Sequence, residues 1–232
     1  MTQVRFATTE QELTTPNHFA LIHYGDAEMR EKVLDFLGPA LEDQKQAIYL
    51  CGPPGGAARL LRFLERSTGR DLTAEVTERR IVLGQGDRDA DQQLQNLLDP
   101  LRELCERGFA PVRVVGPAAW EVFGYAAPED FLWYESRVLP GVEGLPAAVM
   151  CTYDAAQLPA PALLYGALET HSHTMINGVI SESPSFLPAE RYLKTRLIHL
   201  PWLEPEEQPR EITSVREAGP AHGPRNRTRC RF

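Results

Sequence analysis

The sequence lacks the features that mark membrane proteins, disulfide-rich proteins and nucleic-acid-binding proteins. It has no apolar run of the roughly 18 to 20 residues that a bilayer crossing needs, and acidic residues lie near its amino terminus, where a secretory signal would be apolar. The net charge of −8 disfavours general affinity for nucleic acid. We therefore expect a cytoplasmic protein that contacts neither membrane nor nucleic acid directly.

Cysteine is also scarce, and no Cys-x-x-Cys pair occurs. The four cysteines stand far apart, at Cys51, Cys105, Cys151 and Cys230. This spacing indicates reduced, buried thiols and provides neither a disulfide framework nor a zinc knuckle.

The composition predicts one folded domain with polar ends. Residues 1–17 are polar, and residues 18–202 contain the periodic apolar segments that one core requires. Residues 203–232 carry six arginines and five acidic residues and almost no periodic apolar residue. We predict that this last stretch is a disordered tail.

Strand and helix patterns alternate through the predicted domain. The longest strand patterns are Phe19–Tyr24, Ala47–Cys51, 111–115, 147–153 and 174–180, and helix patterns lie between them. The first helix is expected to begin at Asp26 and to stop at Gly38-Pro39. The alternation predicts a three-layer α/β fold with a mostly parallel sheet and helices on both faces.

The turn after the second strand has the position of a phosphate loop but lacks its chemistry. A functional loop reads Gly-x-x-x-x-Gly-Lys-Ser/Thr, because the lysine reaches the outer phosphates and the hydroxyl holds Mg²⁺. Counted from Gly52, the corresponding positions hold Ala57, Ala58 and Arg59, and two prolines remove backbone donors. Gly116 likewise stands where such enzymes place a metal-binding aspartate. We predict a degenerate phosphate loop without nucleotide hydrolysis.

Seven sequence motifs occur in the order seen in MEDS domains, over about residues 18–195. They are His18–Tyr24, the Gly-Phe-x-x-Val-Arg-Val run 108–114, Trp120, Tyr134-Glu135, Met150–Asp154, Leu168–His171 and Ser183–Phe186. The sequence thus resembles the MEDS family of sensory domains. One position departs from the family pattern, since Ser172 follows His171 where a proline is common.

The resemblance implies a fold similar to that of the RecA and KaiC ATPases, with no intact phosphate loop. It also implies a role in sensing small organic compounds and no reaction. Family members are often fused to DNA-binding or histidine-kinase modules, which this sequence does not show. A signal would therefore pass through a partner, such as a histidine kinase or a transcription regulator.

The candidate ligand-binding residues lie mostly where parallel strands end. Open parallel sheets bind ligands at the carboxyl ends of their strands, which favours Tyr24, Gly52, Arg59, Gly116 and Asp154. His18, about 20 Å from Tyr24 along its strand, is assigned a structural role. The remaining candidates are Trp120, as a pocket aromatic, and Cys151, Tyr153 and His171.

Glu135 is the most unusual of the candidates, because it falls within the apolar stripe of its helix. A carboxylate on that face needs a partner, and burial would raise its pKa. It is either a ligand or switch group, or a structural hydrogen-bonding residue. His171 and His173, at i and i+2, could join His23 or Asp154 around a metal, but their spacing is not specific, so no metal site is predicted.

Three functions are consistent with these residues, and one of them is a structural or scaffold domain with an empty pocket. The first is a non-enzymatic small-molecule sensor with no catalytic residue and no cofactor. The alternative is a nucleotide-binding or metal-dependent enzyme that uses Asp154, Glu135 and His171.

Overall fold

A seven-stranded sheet forms the centre of the protein. The structure is a computed structural model that describes residues 17–118 and 128–196, which lie within one compact unit. The strands are β1 (His18–His23), β2 (Ala47–Leu50), β3 (Ile81–Leu83), β4 (Val112–Pro117), β5 (Ala147–Asp154), β6 (His173–Ile176) and β7 (Val179–Glu182). Their order is β3-β2-β4-β5-β1-β6-β7, and every pairing is parallel except that of β6 with β7.

Helices cover both faces of this sheet. They are α1 (Asp26–Glu42), α2 (Gly56–Thr68), α3 (Thr73–Thr77), α4 (Ala90–Glu106), α5 (Pro128–Val142), the π-helix α6 (Ala162–Leu168) and α7 (Ala189–Thr195). The α1 and α2 side chains Phe36 and Leu64 pack in one apolar core with Phe19 of β1. On the other face, the Tyr49 hydroxyl of β2 donates to the Asn96 carbonyl of α4. The predicted three-layer arrangement is confirmed.

Helix α1 is longer than the sequence predicted. It passes through Pro39, which was expected to end it, and continues to Glu42. Proline removes one N–H and crowds the preceding turn, so this position has a local cost. Ala40 and Leu41, beyond the proline, are buried in the core. Their burial favours the extra helical turn over the expected stop.

The last predicted strand is a hairpin instead of one continuous strand. β6 and β7 pair antiparallel around Asn177 and Gly178, which both have positive φ, at 52° and 74°. Such a two-residue turn suits Asn-Gly, because both residues accept the left-handed conformation with little strain. The single strand 174–180 was therefore wrong.

None of the helices within residues 17–118 and 128–196 is both long and apolar enough to cross a bilayer.

Candidate functional site

A cleft of about 470 Å³ opens at the carboxyl ends of β2, β4 and β5. We name it the carboxyl-edge cleft. Its apolar lining residues include Met29, Leu60, Phe63 and Val115, and its polar ones include Asp26, Arg30, Arg59, Thr152 and Gln157. The cleft has the mixed lining that is typical of small-molecule sites, mainly apolar walls with a few polar groups.

The loop after β2 forms one wall of the cleft. Gly52 is packed so closely that a side chain there would meet the Ala57 nitrogen at 3.1 Å. The Gly56 N–H, at the start of α2, already donates to the Pro53 carbonyl at 2.6 Å. The loop backbone is therefore folded onto the start of α2, and one of the donors that would face a phosphate is occupied.

The structure brings two of the predicted ligand residues, Gly52 and Arg59, directly to this cleft. Arg59 is exposed. Among the described residues, no hydrogen bond or ion pair engages its guanidinium, which a side chain added at Gly55 would meet at 3.4 Å. It is thus a cation available to a ligand.

Other predicted residues at this edge of the sheet lie elsewhere. Tyr24 is 67% exposed and does not line the cleft. Asp154 accepts from the Gln157 side chain at 2.6 Å and from the Ala156 N–H at 3.0 Å, so its carboxylate orders the turn after β5. Trp120 lies outside the described residues.

A second group of polar side chains is buried on the opposite face of the sheet, against α5 and α6. We name it the core cluster, and its members are His18 of β1, Glu135 of α5, Cys151 of β5 and His171, which follows α6. Each of them is at most 5% exposed. Four ionisable groups in one apolar interior are costly unless they compensate one another.

The four side chains meet at short distances. His18 Nε2 lies 3.3 Å from Cys151 Sγ and 3.9 Å from Glu135 Oε2. His171 Nε2 lies 3.5 Å from the same carboxylate oxygen. The two imidazole rings stack with centroids 3.9 Å apart. One atom from each residue thus converges on one small volume, within 4.8 Å of the others.

Burial shifts the pKa of every member of the core cluster toward its neutral form. It raises the pKa of Glu135 to about 8 and lowers the pKa of His171 to about 3. The pKa of His18 is also lowered and that of Cys151 is raised, again chiefly because of burial. Without a compensating charge the cluster is neutral at pH 7.

Helix α6 sets the orientation of His171. Gly166 lies against Phe131 and Tyr153, where a side chain would meet ring carbons at 3.0 and 3.3 Å, so glycine permits the close approach of α6. The Gly166 carbonyl lies 3.2 Å from His171 Nδ1. Because a carbonyl only accepts, Nδ1 carries the proton, and Nε2 keeps its lone pair toward Glu135.

A small void of about 20 Å³ lies between the core cluster and the loops at the carboxyl ends of the strands. It is lined by Cys51, Gly116, Glu135 and Cys151, among others. Gly116 was predicted at the cleft itself but lines this void, where a side chain would meet the Cys51 Cβ at 3.2 Å. Cys51 also lines the cleft, so its side chain stands between the two spaces.

The sequence assigned His18 a structural role and did not place it in the core cluster. The length of the strand correctly indicated that His18 and Tyr24 lie far apart. The sequence does not reveal the strand order, which is what places His18 beside Cys151. In the observed register, His18 pairs with Val149, two residues before Cys151 on the same face of β5. The available signal was the alternation of β5, which puts Cys151 and Tyr153 on one face together. Tyr153 indeed packs edge-on against His171, at 5.6 Å between centroids.

The predicted set of Asp154, Glu135 and His171 does not form one site. Glu135 and His171 meet in the core cluster, but Asp154 is three residues beyond Cys151 on β5, about 10 Å along the strand. Its side chain also points to the other face, because strand residues alternate. His173 is half-buried and is not a member of the cluster.

Comparison with known proteins agrees with this fold. The chain is similar to a KaiC-like protein from the hyperthermophilic archaeon Pyrococcus horikoshii OT3, with a TM-score of 0.50 and 15% identity over 68% of this chain and 71% of that one. No curated protein matches. The family model described as the MEthanogen/methylotroph, DcmR Sensory domain matches residues 17–172, which is most of the described chain. The chain therefore belongs to the MEDS family of sensory domains.

Proposed function

We propose that this chain is a non-enzymatic sensor that binds a small organic molecule in the carboxyl-edge cleft and signals through a partner protein. The observation that carries the proposal is the cleft itself, which combines apolar walls with the unpaired cation of Arg59. This lining suits a compact organic ligand with an anionic or strongly polar end. The partner is a histidine kinase or a transcription regulator, as in the fused members of the family.

The arrangement of the cleft supports a response to ligand. Its lining comes from α1, α2, β4 and β5, which are separate segments of the chain. A molecule bound there contacts all of them at once, so binding favours the conformation in which they are closest. That conformational preference is what a partner would detect.

The loop geometry supports the absence of nucleotide hydrolysis. The loop has no lysine, Pro53 and Pro54 offer no N–H, and the Gly56 N–H is already bonded. A triphosphate would find neither the donors nor the lysine that neutralise its charge during transfer.

The alternative, a metal-dependent or nucleotide-binding enzyme, has less support from the geometry. Asp154 is too far from Glu135 and His171 to act with them. The core cluster is also almost completely buried, so a substrate has no direct approach to it among the described residues.

The proposal can be tested by a thermal-shift screen of small organic acids, alcohols, amines and halogenated compounds, with ATP and Mg²⁺ as a separate condition. We expect an organic compound to raise the melting temperature and ATP with Mg²⁺ to leave it unchanged. For an anionic hit, Arg59→Ala should weaken binding about 10- to 100-fold, the value of one charge-assisted hydrogen bond.

Arg62→Ala is the matched control, because Arg62 is exposed on the same helix and does not line the cleft. Its affinity for the hit should equal that of the unaltered protein. ATP turnover that disappears in Arg59→Ala would refute the proposal, as would a screen in which no organic compound binds.

A further inference from the structure

We propose that the core cluster is a closed divalent-metal site of the zinc type. Its four ligands are His18 Nε2, a carboxylate oxygen of Glu135, Cys151 Sγ and His171 Nε2. The site is independent of the proposed sensor function, because the cleft and the cluster lie on opposite faces of the sheet.

Three of the six separations between the ligand atoms are close to those of tetrahedral coordination, and all six are within 4.8 Å. With Zn–N and Zn–O bonds near 2.1 Å and Zn–S bonds near 2.3 Å, ligand atoms on one tetrahedral ion lie about 3.3 to 3.6 Å apart. The measured separations are 3.3 Å for His18 to Cys151, 3.5 Å for His171 to Glu135 and 3.9 Å for His18 to Glu135. An ion could thus be bound with small side-chain movements and without rearrangement of the backbone.

Two buried ligand atoms lack a hydrogen bond of good geometry. Glu135 Oε2 and His171 Nε2 face each other at 3.5 Å without one, although both are shielded from solvent, and the Cys151 thiol and Tyr153 hydroxyl are the other polar groups near the carboxyl. An unpaired polar atom in an apolar interior costs free energy, and nearly all such atoms in native proteins are satisfied. A cation between them would satisfy both lone pairs at once.

The charges of the four ligands also fit a divalent ion. Bound to metal, Cys151 is a thiolate, Glu135 is a carboxylate and the two histidines are neutral. The two negative charges then cancel the charge of the ion, so the occupied site adds no net charge to the interior. Imidazole and thiolate ligands together favour zinc over magnesium or calcium, which prefer oxygen.

The surroundings of His171 are typical of a metal-bound histidine. Its Nδ1 faces the Gly166 carbonyl at 3.2 Å and the Thr170 hydroxyl at 3.0 Å. Such a bond on the far nitrogen fixes the tautomer and raises the basicity of the coordinating one. The short π-helix α6 supplies the Gly166 carbonyl, and the Thr170 hydroxyl follows two residues after its end.

Coordination also requires one movement. The imidazole rings now stack at 3.9 Å between centroids, whereas two imidazoles on one tetrahedral ion lie about 5 Å apart. The rings must separate by about 1 Å, toward the geometry expected from those bond lengths. The 20 Å³ void beside Glu135 and Cys151 provides space for this adjustment.

The decisive experiment uses the full chain, stripped with chelator and then titrated with Co²⁺ or Zn²⁺. Cobalt should bind with one-to-one stoichiometry and show both the visible bands of a tetrahedral ion and a near-ultraviolet thiolate-to-cobalt band. Zinc should displace it. At a hundredfold excess over its dissociation constant, zinc should raise the melting temperature by about 5 to 10 °C.

Variants identify the ligands. Cys151→Ser should remove the thiolate-to-cobalt band, and His171→Ala should lower the metal affinity about 100-fold or more. Cys105→Ser and His173→Ala are the matched controls, since Cys105 is a thiol of α4 outside the cluster and His173 is a neighbouring histidine outside it. Both controls should retain the band and the affinity.

Three results would overturn the proposal. The first is an unaltered protein that binds neither cobalt nor zinc. The second is a thiolate band that survives Cys151→Ser, which would assign the metal to another cysteine. The third is equal loss of affinity in His171→Ala and His173→Ala. If Cys151→Ser does not fold, native mass spectrometry and the cobalt spectrum of the unaltered protein still decide whether a single thiolate-ligated ion is bound.

Discussion

Replacing Glu135 by glutamine should stabilise the metal-free protein at neutral pH. Burial raises the pKa of this carboxyl from 4.5 to about 8. Between those values the native state keeps a proton that the unfolded chain releases, so the free energy of unfolding falls as the pH rises from about 4.5 to about 8. Glutamine has nearly the same shape as glutamate but cannot ionise, so the stability of the Glu135→Gln protein does not fall over this pH range.

The pKa difference sets the size of the effect. One pKa unit corresponds to about 1.4 kcal/mol. The ionisable carboxyl therefore lowers the free energy of unfolding by about 3 kcal/mol at pH 7 and by about 5 kcal/mol above pH 8. Below about pH 4 the cost disappears, because both states are protonated. For a protein of this size, about 3 kcal/mol corresponds to a melting-temperature difference of about 6 to 12 °C.

Urea unfolding of both proteins in chelator at pH 4, 7 and 8.5 measures this difference. Glu135→Gln should be the more stable protein at pH 7 and 8.5, and the two should converge at pH 4. Glu143→Gln, an exposed change just beyond the same helix, should alter stability by less than about 0.5 kcal/mol at every pH. A variant less stable than the unaltered protein at pH 7, or a gap that does not change with pH, would refute the argument.

Zinc should reverse the sign of the effect. The unaltered protein gains stability from the ion through all four ligands, whereas Glu135→Gln has lost the anionic oxygen and gains much less. The variant that is more stable in chelator should therefore be the less stable one in zinc. No purely structural hydrogen-bonding role for Glu135 gives this reversal.

Three further changes test the fold that positions the site. Leu37→Ala should lower the free energy of unfolding by about 2 to 5 kcal/mol in urea, because Leu37 is completely buried in the α1 core. Gly178→Ala should cost about 1 kcal/mol, measured the same way, since Gly178 has a φ of 74° in the hairpin turn; an unchanged midpoint would contradict that turn. Arg196→Ala should cost about 1 to 3 kcal/mol in the same urea measurement, because it leaves the buried Glu169 carboxylate without its two bonds of 2.6 and 2.8 Å.

Much of the fold could be predicted because its elements follow local rules. The predicted strands Phe19–Tyr24 and Ala47–Cys51 correspond to β1 and β2, and α1 begins at Asp26 as predicted. Pro39 and the Asn177-Gly178 turn were misjudged for different reasons. At Pro39, core packing outweighs a local stop signal, whereas Asn177-Gly178 is itself a local hairpin signal within the predicted strand.

The candidate sites were only partly predictable. Gly52 and Arg59 were placed correctly at the edge of the sheet, because position after a strand is a local property. Glu135 was recognised as unusual from its helical face. His171 was named with it in the alternative function, but Asp154 was expected where His18 and Cys151 are found.

The sequence by itself determined that this chain is an α/β domain of the MEDS type, without the lysine of a phosphate loop. These properties depend on the spacing of apolar residues and on residue types at fixed offsets. Only the tertiary structure decided which chemical groups meet. His18 and Cys151 are brought together because β1 pairs with β5, and His171 joins them because α6 returns the chain to β1. Strand order depends on how the whole core packs, so it cannot be predicted from the spacing of residues within one segment.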